Sequence, residues 1–380
     1  MSNILDYLAK DFTPFESRPF GPVDSLVLSE FAMVELEDIL ADIQGAAELA
    51  DPGRKKRFGF LPVRDLDLRF CDLLRAEHFD GMFTGFVPEN SMRLLVALAA
   101  SPRFRTMRIR SYRGILDAER HVQFAAVTLS YKNLFTYVAF RGTDCTIAGW
   151  REDFEMAFEH PVPAQEEAAL FLAQTLAKLP KNSGEFYVGG HSKGGNLAVY
   201  SALHVPDELA GRITRVFDHD GPGFMKQSLP EHAPVFTKIH KTVPRESFVG
   251  MLLDSPVAAH VVESSERGLL QHDGFSWQID GGDFAYADGL TDTAQAADRV
   301  MDAWLESCSD EEKRAVVDLL FKTLEASGAD KLPQIAADWK TTIPLMVSAV
   351  SEADGSKALA WKATMALSDA VRRELGRKRS

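Results

Sequence analysis

The spacing of apolar positions changes twice along the chain, and each change marks a region with different predicted elements. Residues 1–22 show no period and carry Pro14, Pro19, Gly21 and Pro22, so an extended lead-in is expected. From Asp24 to Leu40 the residues Leu26, Val27, Phe31, Val34, Ile39 and Leu40 recur at helical spacing, with Asp24 as the N-cap. Phe79–Val87 is aromatic, glycine-rich and aperiodic; it suits a mobile cover or, more simply, a core-packing loop. A short apolar helix follows from Met92 to Ala100, stopped by Pro102. After residue 106 the pattern becomes that of strands: Arg108–Tyr112, Val122–Tyr131 and Phe135–Phe140, the first two antiparallel. Helical segments at Trp150–Phe158 and Gln165–Leu179 precede a strand at Phe186–Val188 and a helix at Leu197–Leu203. Further strands are expected at Arg212–Phe217, Val235–Ile239 and Ala258–Val262.

Strands alternating with helices indicate an α/β fold with a largely parallel sheet, in which ligands bind at the carboxyl ends of the strands. From about residue 290 the pattern is purely helical: Thr293–Cys308, then a capping box at Ser309–Glu312 opening a helix to about Ala326. Ile335–Val350, interrupted at Pro344, and Ser356–Leu375 complete it before a basic end at Arg377–Ser380. The expected organisation is an α/β domain over residues 1–288 and a helical region over 289–380 whose apolar stripes pack on that domain.

Composition narrows the function classes. A chain of 380 residues with 46% hydrophobic and 26% charged content has the make-up of a folded protein with a substantial core. Its net charge of −13 argues against nucleic acid or an anionic membrane as the main partner. Cys71, Cys145 and Cys308 are scattered without a CxxC or Cys/His cluster, which fits reduced thiols and no zinc site. The start has no basic-then-apolar leader, and no run approaches eighteen apolar residues. A soluble cytoplasmic protein without a transmembrane segment is therefore expected, its oligomeric state left open.

Chemistry concentrates in Glu185–Tyr200. A β-rich run, Phe186-Tyr-Val188, meets Gly189-Gly-His-Ser-Lys-Gly-Gly195 and then a helical apolar series. Gly190-x-Ser192-x-Gly194 matches the nucleophile elbow, a sharp strand-to-helix turn that lifts a serine hydroxyl clear of the sheet. Three fixed residues arise by chance in about one chain of this length in ten, so the motif gains weight only from its strand and helix context.

A serine needs a base to take its proton and a third group to orient that base. Downstream histidines are His204, His219, His232, His240, His260 and His272. His204 lies too near in the elbow helix, His260 inside a predicted strand; His272, in the loop Gly268–Gly274 after the last strand, is the expected base. Of the acids Asp207, Asp218, Asp220, Glu231, Glu246, Asp254 and Glu263, Glu246 is preferred because it follows a strand end and heads an apolar run. Asp220, ahead of Gly221-Pro-Gly223, stays open as the alternative. The oxyanion donors are expected to be the Lys193 amide and Thr143, in the loop Phe140-Arg-Gly-Thr-Asp144 after an earlier strand. Arg141 is expected to pair with a buried Asp153 and fix that loop, with substrate binding as its alternative role.

Phe140-Arg-Gly-Thr143, Gly149-Trp-Arg-Glu-Asp153 and the Gly-His-Ser-x-Gly elbow together resemble the class 3 (fungal-type) lipase family of α/β hydrolases. More closely, the chain resembles the Mbeg1-like (DUF2974) group of bacterial proteins. The resemblance rests on Asn3–Tyr7, Asp24–Leu28, Phe140–Asp144, Val188–Tyr200, Asp220–Phe224, Pro244–Leu252 and His272–Trp277. It implies an α/β-hydrolase fold, with Ser192 in the nucleophile's place, His272 in the base's, Thr143 at the Ser/Thr oxyanion position and Glu246 where an acid, usually Asp, is found. Two residues depart from the lipase pattern. Lys193 puts a cation after the nucleophile, to assist, to bind an anionic substrate group or to sit exposed; Glu246 is longer by a methylene. The resemblance supplies no settled substrate.

The expected activity is that of a serine hydrolase acting on small-molecule or lipid carboxylic esters, without metal or organic cofactor. The alternatives are a non-catalytic binding protein on the same fold, and a thioesterase or amidase with the same triad.

Overall fold

Three successive strands from residue 108 are followed by alternating strand and helix, much as the hydropathy requires, and described helices of the N-terminal segment lie against the resulting sheet. The computed structural model describes residues 2–50, 64–117, 122–144 and 147–325, together with Met365 and Asp369. The helices are α1 (Ile4–Lys10), α2 (Pro22–Phe31), α3 (Glu37–Ala50), α4 (Phe79–Met82), α5 (Pro88–Ala100), α6 (Ile147–Glu155), α7 (Pro163–Lys178), α8 (Lys193–His204), α9 (Asp207–Ala210), α10 (Asp292–Ser307) and α11 (Asp310–Glu325). The strands are β1 (Arg64–Leu68), β2 (Arg108–Asp117), β3 (Val122–Tyr131), β4 (Phe135–Phe140), β5 (Glu185–His191), β6 (Arg215–His219), β7 (Ile239–Pro244), β8 (Ala259–Val262), β9 (Ile279–Asp280) and β10 (Asp283–Phe284).

Among the described residues β1 to β8 form one eight-stranded sheet in sequence order, and β9 pairs with β10. Strands β1 to β4 are antiparallel neighbours, while β4 to β8 run parallel. The chain is thus α/β with a mostly parallel sheet. Register partners Phe140, Gly190 and Asp218, and beside them His191, His219 and Thr242, align the carboxyl ends of β4 to β7 in one row.

Side chains alternate across the sheet with period two. Val138, Phe140, Phe186, Val188 and Val216 pack on Phe171, Leu172, Leu197 and Ala198 from α7 and α8. Tyr137, Ala139, Tyr187 and Phe217 face the other way, onto Leu26, Phe31 and Leu95 from α2 and α5. Crossovers that all step the same way across a sheet, each right-handed, deposit their helices on one face. The other face is left to the N-terminal segment, which is why β3 and β4 are buried along their whole length on both faces.

Several expectations are corrected. The lead-in contains α1, whose first turn is closed by the Asn3 side chain accepting from the Leu5 and Asp6 amides at 3.0 and 3.1 Å. The helix expected over 24–40 is two helices, α2 and α3. The first starts at Pro22, whose fixed φ suits a first helical position. Asp24 is therefore inside the first turn rather than capping it; its carboxylate takes the Gly21 amide at 2.9 Å and Arg103 at 2.6 and 2.8 Å. The strand expected at 235–239 is a 3-10 segment, Pro234–Lys238, because the proline at its start cannot donate to a ladder. β7 begins only at Ile239.

The helical region begins as expected with α10 and α11, and the capping box is formed: Ser309 N–H reaches Glu312 Oε2 at 2.9 Å and Glu312 N–H reaches Ser309 Oγ at 3.3 Å. α11 lies on α6, with Phe321 and Phe154 edge to face at 5.8 Å and Arg151 bonded to Asp318 at 2.6 Å. The helices expected at 335–350 and 356–375 and the basic end lie outside the described residues. No helix among the described residues is long and apolar enough to cross a membrane.

Candidate active site

β5 ends at His191 and α8 begins at Lys193, so a single residue, Ser192, makes the whole turn. Its φ of +58° and ψ of −132° are costly for a side-chain-bearing residue and hold only because the surroundings over-determine them. The motif's glycines are the surroundings in question. A Cβ on Gly190 would lie 2.2 Å from the Gly194 carbonyl carbon, and one on Gly194 would lie 2.2 Å from the Phe140 carbonyl oxygen. The Ser192 amide bonds His219 O at 2.9 Å, tying the elbow to the end of β6. Ser192 itself remains half-buried while α8 behind it is buried.

The next residue on β6's exit is Asp220, also at positive φ (+53°) and fully buried. Its Oδ2 lies 2.6 Å from His272 Nδ1; its Oδ1 accepts from Ser247 Oγ at 2.5 Å and from Gly250 N–H at 3.2 Å. Burial by itself pushes this carboxyl up, but the hydrogen bond and charge of His272 and the Ser247 hydroxyl outweigh it and hold the group below its ordinary value. His272 ends a 3-10 turn after β8 and keeps its side chain 28% exposed. Its ring lies on that of His191, the residue before the serine, with centroids 4.7 Å apart. The turn after Asp220 packs on the elbow: a Cβ on Gly221 would stand 2.8 Å from Ser192 O.

Glu246 is not the partner of His272. Its Oε2 accepts from Gly268 N–H at 2.5 Å and Gln271 Nε2 at 3.2 Å, and its own amide donates to Gln271 Oε1 at 2.9 Å. It ties down the start of the histidine loop instead. The left-handed turn at Asp220 aims that shorter carboxylate at the imidazole, whereas the Glu246 carboxylate is taken up by Gly268 and Gln271. Asp218 is likewise engaged, bonded to Lys241 at 2.7 Å and to the Gly221 amide at 2.9 Å.

On the other side of Ser192 lies the loop that follows β4. Gly142 comes so close that a Cβ there would meet His191 O at 2.7 Å and Ser192 Cβ at 3.3 Å, which places Thr143 beside the elbow. The Thr143 hydroxyl donates to Asp153 Oδ2. Lys193 opens α8, so its amide belongs to the set with no intrahelical acceptor. Its side chain is neither exposed nor directed at a ligand. The ammonium is fully buried, 3.0 Å from Glu152 Oε2 and 2.9 Å from Gln123 O, with Asp153 Oδ1 at 3.8 Å. Burial works against the charged amine, yet the Glu152 and Asp153 charges keep it above its ordinary value. Asp153 is pushed up to about 6, by burial first and against the pull of Lys193. Arg141 does not pair with Asp153: it bonds Glu35 at 2.7 Å, Tyr112 Oη at 3.0 Å and the carbonyls of Ala32 and Val34.

The remaining histidines are placed elsewhere. His204 stacks on Tyr200 within α8, His219 bonds Ser25 Oγ at 2.9 Å in the core, His240 and His260 stack on each other, and His232 is exposed. In the aromatic segment before α5, Met82 is buried and its carbonyl accepts the Glu35 amide at 3.0 Å, while Phe86 is exposed and edge-on to Trp150. No group of His, Cys, Asp and Glu among the described residues could hold a metal ion.

Four further residues around the candidate site are not singled out individually by the sequence. Ser247 and Gly250 support Asp220 from the loop after β7. Glu152 supports Lys193. Glu30 of α2 lies 3.1 Å from His191 Nδ1 and under Gly274. Burial, then Asp273, raises the Glu30 carboxyl well above its usual range; burial, then His272, pushes His191 down to about 3, so both groups are shifted toward their neutral forms. A motif search reads residues next to the serine and cannot reach a contact across 161 positions.

Neither the curated proteins nor the solved structures contain a match to this chain. The family model described as Mbeg1-like matches residues 98–322, from the end of α5 through most of α11 and across the boundary expected at 288. That span covers more than half of the chain and includes Thr143, Ser192, Asp220, Glu246 and His272; the chain belongs to the Mbeg1-like family.

Proposed function

We propose that the protein is a serine hydrolase of carboxylic esters built on an α/β-hydrolase fold, with Ser192, His272 and Asp220 as its triad. The observation that carries the reading is the strained serine at the β5–α8 turn with the Asp220–His272 pair brought onto the same elbow. The nucleophile-acid-histidine order and the parallel sheet support it further. The resemblance to class 3 lipases is consistent with this reading, with Asp220 in place of Glu246 as the acid.

The chemistry follows from hydrogen-bond bookkeeping at His272. Asp220 accepts only, so Nδ1 carries the proton and Nε2 is left as the acceptor a general base needs. As the Ser192 oxygen bonds to the ester carbonyl carbon, Nε2 takes the hydroxyl proton. Asp220 then faces an imidazolium and lowers its energy. The Lys193 amide and the Thr143 backbone are the donors for the carbonyl oxygen as it becomes an anion. His272 returns the proton to the departing alkoxide, and water attacking the acyl-serine repeats the sequence in reverse order.

Fluorophosphonate labelling tests this directly. Wild type reacts at Ser192 and hydrolyses p-nitrophenyl esters with a rate that varies along an acyl-length series. Ser192→Ala loses both, by about 10³-fold or more in hydrolysis. Equal labelling of the two proteins, or none of either, sinks the hydrolase reading.

A further inference from the structure

Lys193 is the residue that the triad does not use. Its backbone stands on one wall of the proposed oxyanion site, but its side chain runs underneath, into a space with no exposure to solvent at either Lys193 or Glu152. Glu152 bonds three elements at once: Lys193 of α8, the Gln123 amide of β3 at 3.3 Å and the Ala164 amide at the start of α7 at 2.8 Å. The adjacent residue on α6, Asp153, holds the Thr143 hydroxyl on the opposite wall. One side chain therefore joins the elbow to the loop that faces it, through two neighbouring carboxylates.

We infer that the Lys193 side chain is a positioning residue that latches the Thr143 loop to the Ser192 elbow through Glu152 and Asp153. It sets the distance between the two amides that share the oxyanion. The inference rests on the hydrolase reading above. Two features separate it from simple packing. An apolar side chain of similar length would fill the same volume, yet it would leave the buried Glu152 carboxylate and the buried Oδ1 of the partly exposed Asp153 without a cation behind a site where negative charge develops. Moreover, Asp153 Oδ1 has no hydrogen-bond partner among the described residues, so the nearby ammonium is what offsets its charge. An ammonium sealed from solvent cannot bind an anionic substrate group, so its effect falls on the transition state and not on substrate affinity.

The test measures kcat and KM for a p-nitrophenyl ester, with fluorophosphonate labelling as an independent report on Ser192. Lys193→Met is expected to lower kcat by roughly 10- to 100-fold with KM changed less than about threefold, in line with partial loss of an oxyanion donor. The paired change Lys193→Met with Glu152→Gln removes both charges together. It is expected to recover cooperative unfolding but not kcat. A paired variant that folds and keeps kcat within twofold of wild type overturns the inference. If neither Lys193 variant folds, Asp153→Asn, which leaves the Lys193–Glu152 pair intact, gives the reading. A kcat loss of about fivefold or more at constant KM supports the latch, and an unchanged kcat overturns it. A wild type that neither labels nor hydrolyses overturns the hydrolase reading itself, whereas a reactive wild type with equally reactive variants overturns only the latch.

Discussion

Two pairs of a carboxylate with a nitrogen base flank Ser192, and they differ in exposure. On one side Asp220 and His272 meet at 2.6 Å with the imidazole 28% open to solvent. On the other, Lys193 and Glu152 meet at 3.0 Å with no exposure at all. A pair that must exchange protons with a reacting group needs one partner at the surface and a carboxylate kept ionised by donors, which Ser247 and Gly250 provide. A pair that must hold shape gains from being sealed, because the low local dielectric strengthens it and makes every alternative arrangement expensive. On the proposed reading the same ingredients, a carboxylate and a nitrogen base, serve as working part or as rivet according to exposure.

The contrast is broken first at Asp220. Asp220→Asn is expected to reduce kcat/KM by about 10³–10⁴-fold while the protein still unfolds cooperatively, since the amide retains the shape but favours the wrong His272 tautomer. A loss under tenfold would mean that the exposed pair is not the working one. Next in size is the sealed pair. Lys193→Met leaves the Glu152 carboxylate buried without its cation and should cost about 3–5 kcal/mol in denaturant unfolding, much of it recovered when Glu152→Gln is added. Losses that simply add would show that the two residues are not coupled.

An effect of comparable size, spread over several pH units, concerns acid. His191 titrates at about 3 in the folded chain, through burial first and then His272, against about 6.5 for an unperturbed histidine. The unfolded state therefore binds the extra proton first, so the contribution is complete above about pH 6.5 and is lost as pH falls toward 3. Over the middle of that window the slope approaches about 1.4 kcal/mol per pH unit. Glu30 and Asp153, whose carboxyls are raised, act in the opposite sense, so the difference between His191→Asn and wild type at each pH is the measure. That difference should shrink on acidification; a constant difference would remove His191 as an acid-sensitive group. Smallest of all is Glu246→Gln, which loses only a partly exposed tie to the histidine loop. Activity within about threefold and stability within about 1 kcal/mol are expected, by ester turnover and thermal unfolding. A thousandfold loss would restore Glu246 as a candidate for the acid.

The local part of the site was legible because its physics is local. Gly190, Ser192 and Gly194 are spaced for a turn that only small neighbours permit, and the β-rich run before and helical run after them state where it sits. The loop position of His272 and the capping box at Ser309 could be read for the same reason, each being settled within a few residues. Parallel pairing of β4 to β8 followed from the alternation of strand and helix. Choosing between Asp220 and Glu246 was beyond such reading. Both follow strands; what separates them is one left-handed φ at Asp220 and two donors brought from the loop after β7.

Lys193 shows the same division. Its identity and its place after the serine were evident from the chain, and so was the oddity of a cation there. Whether that cation would face a substrate, water or the interior depended on α6 arriving beneath the elbow with Glu152 and Asp153. By itself the sequence determined the strained turn, the alternation of strand and helix around it and the residue types available to the chemistry, because these depend on neighbours along the chain. Only the tertiary structure decided which acid met the histidine and where the lysine's charge was spent, because those depend on neighbours in space.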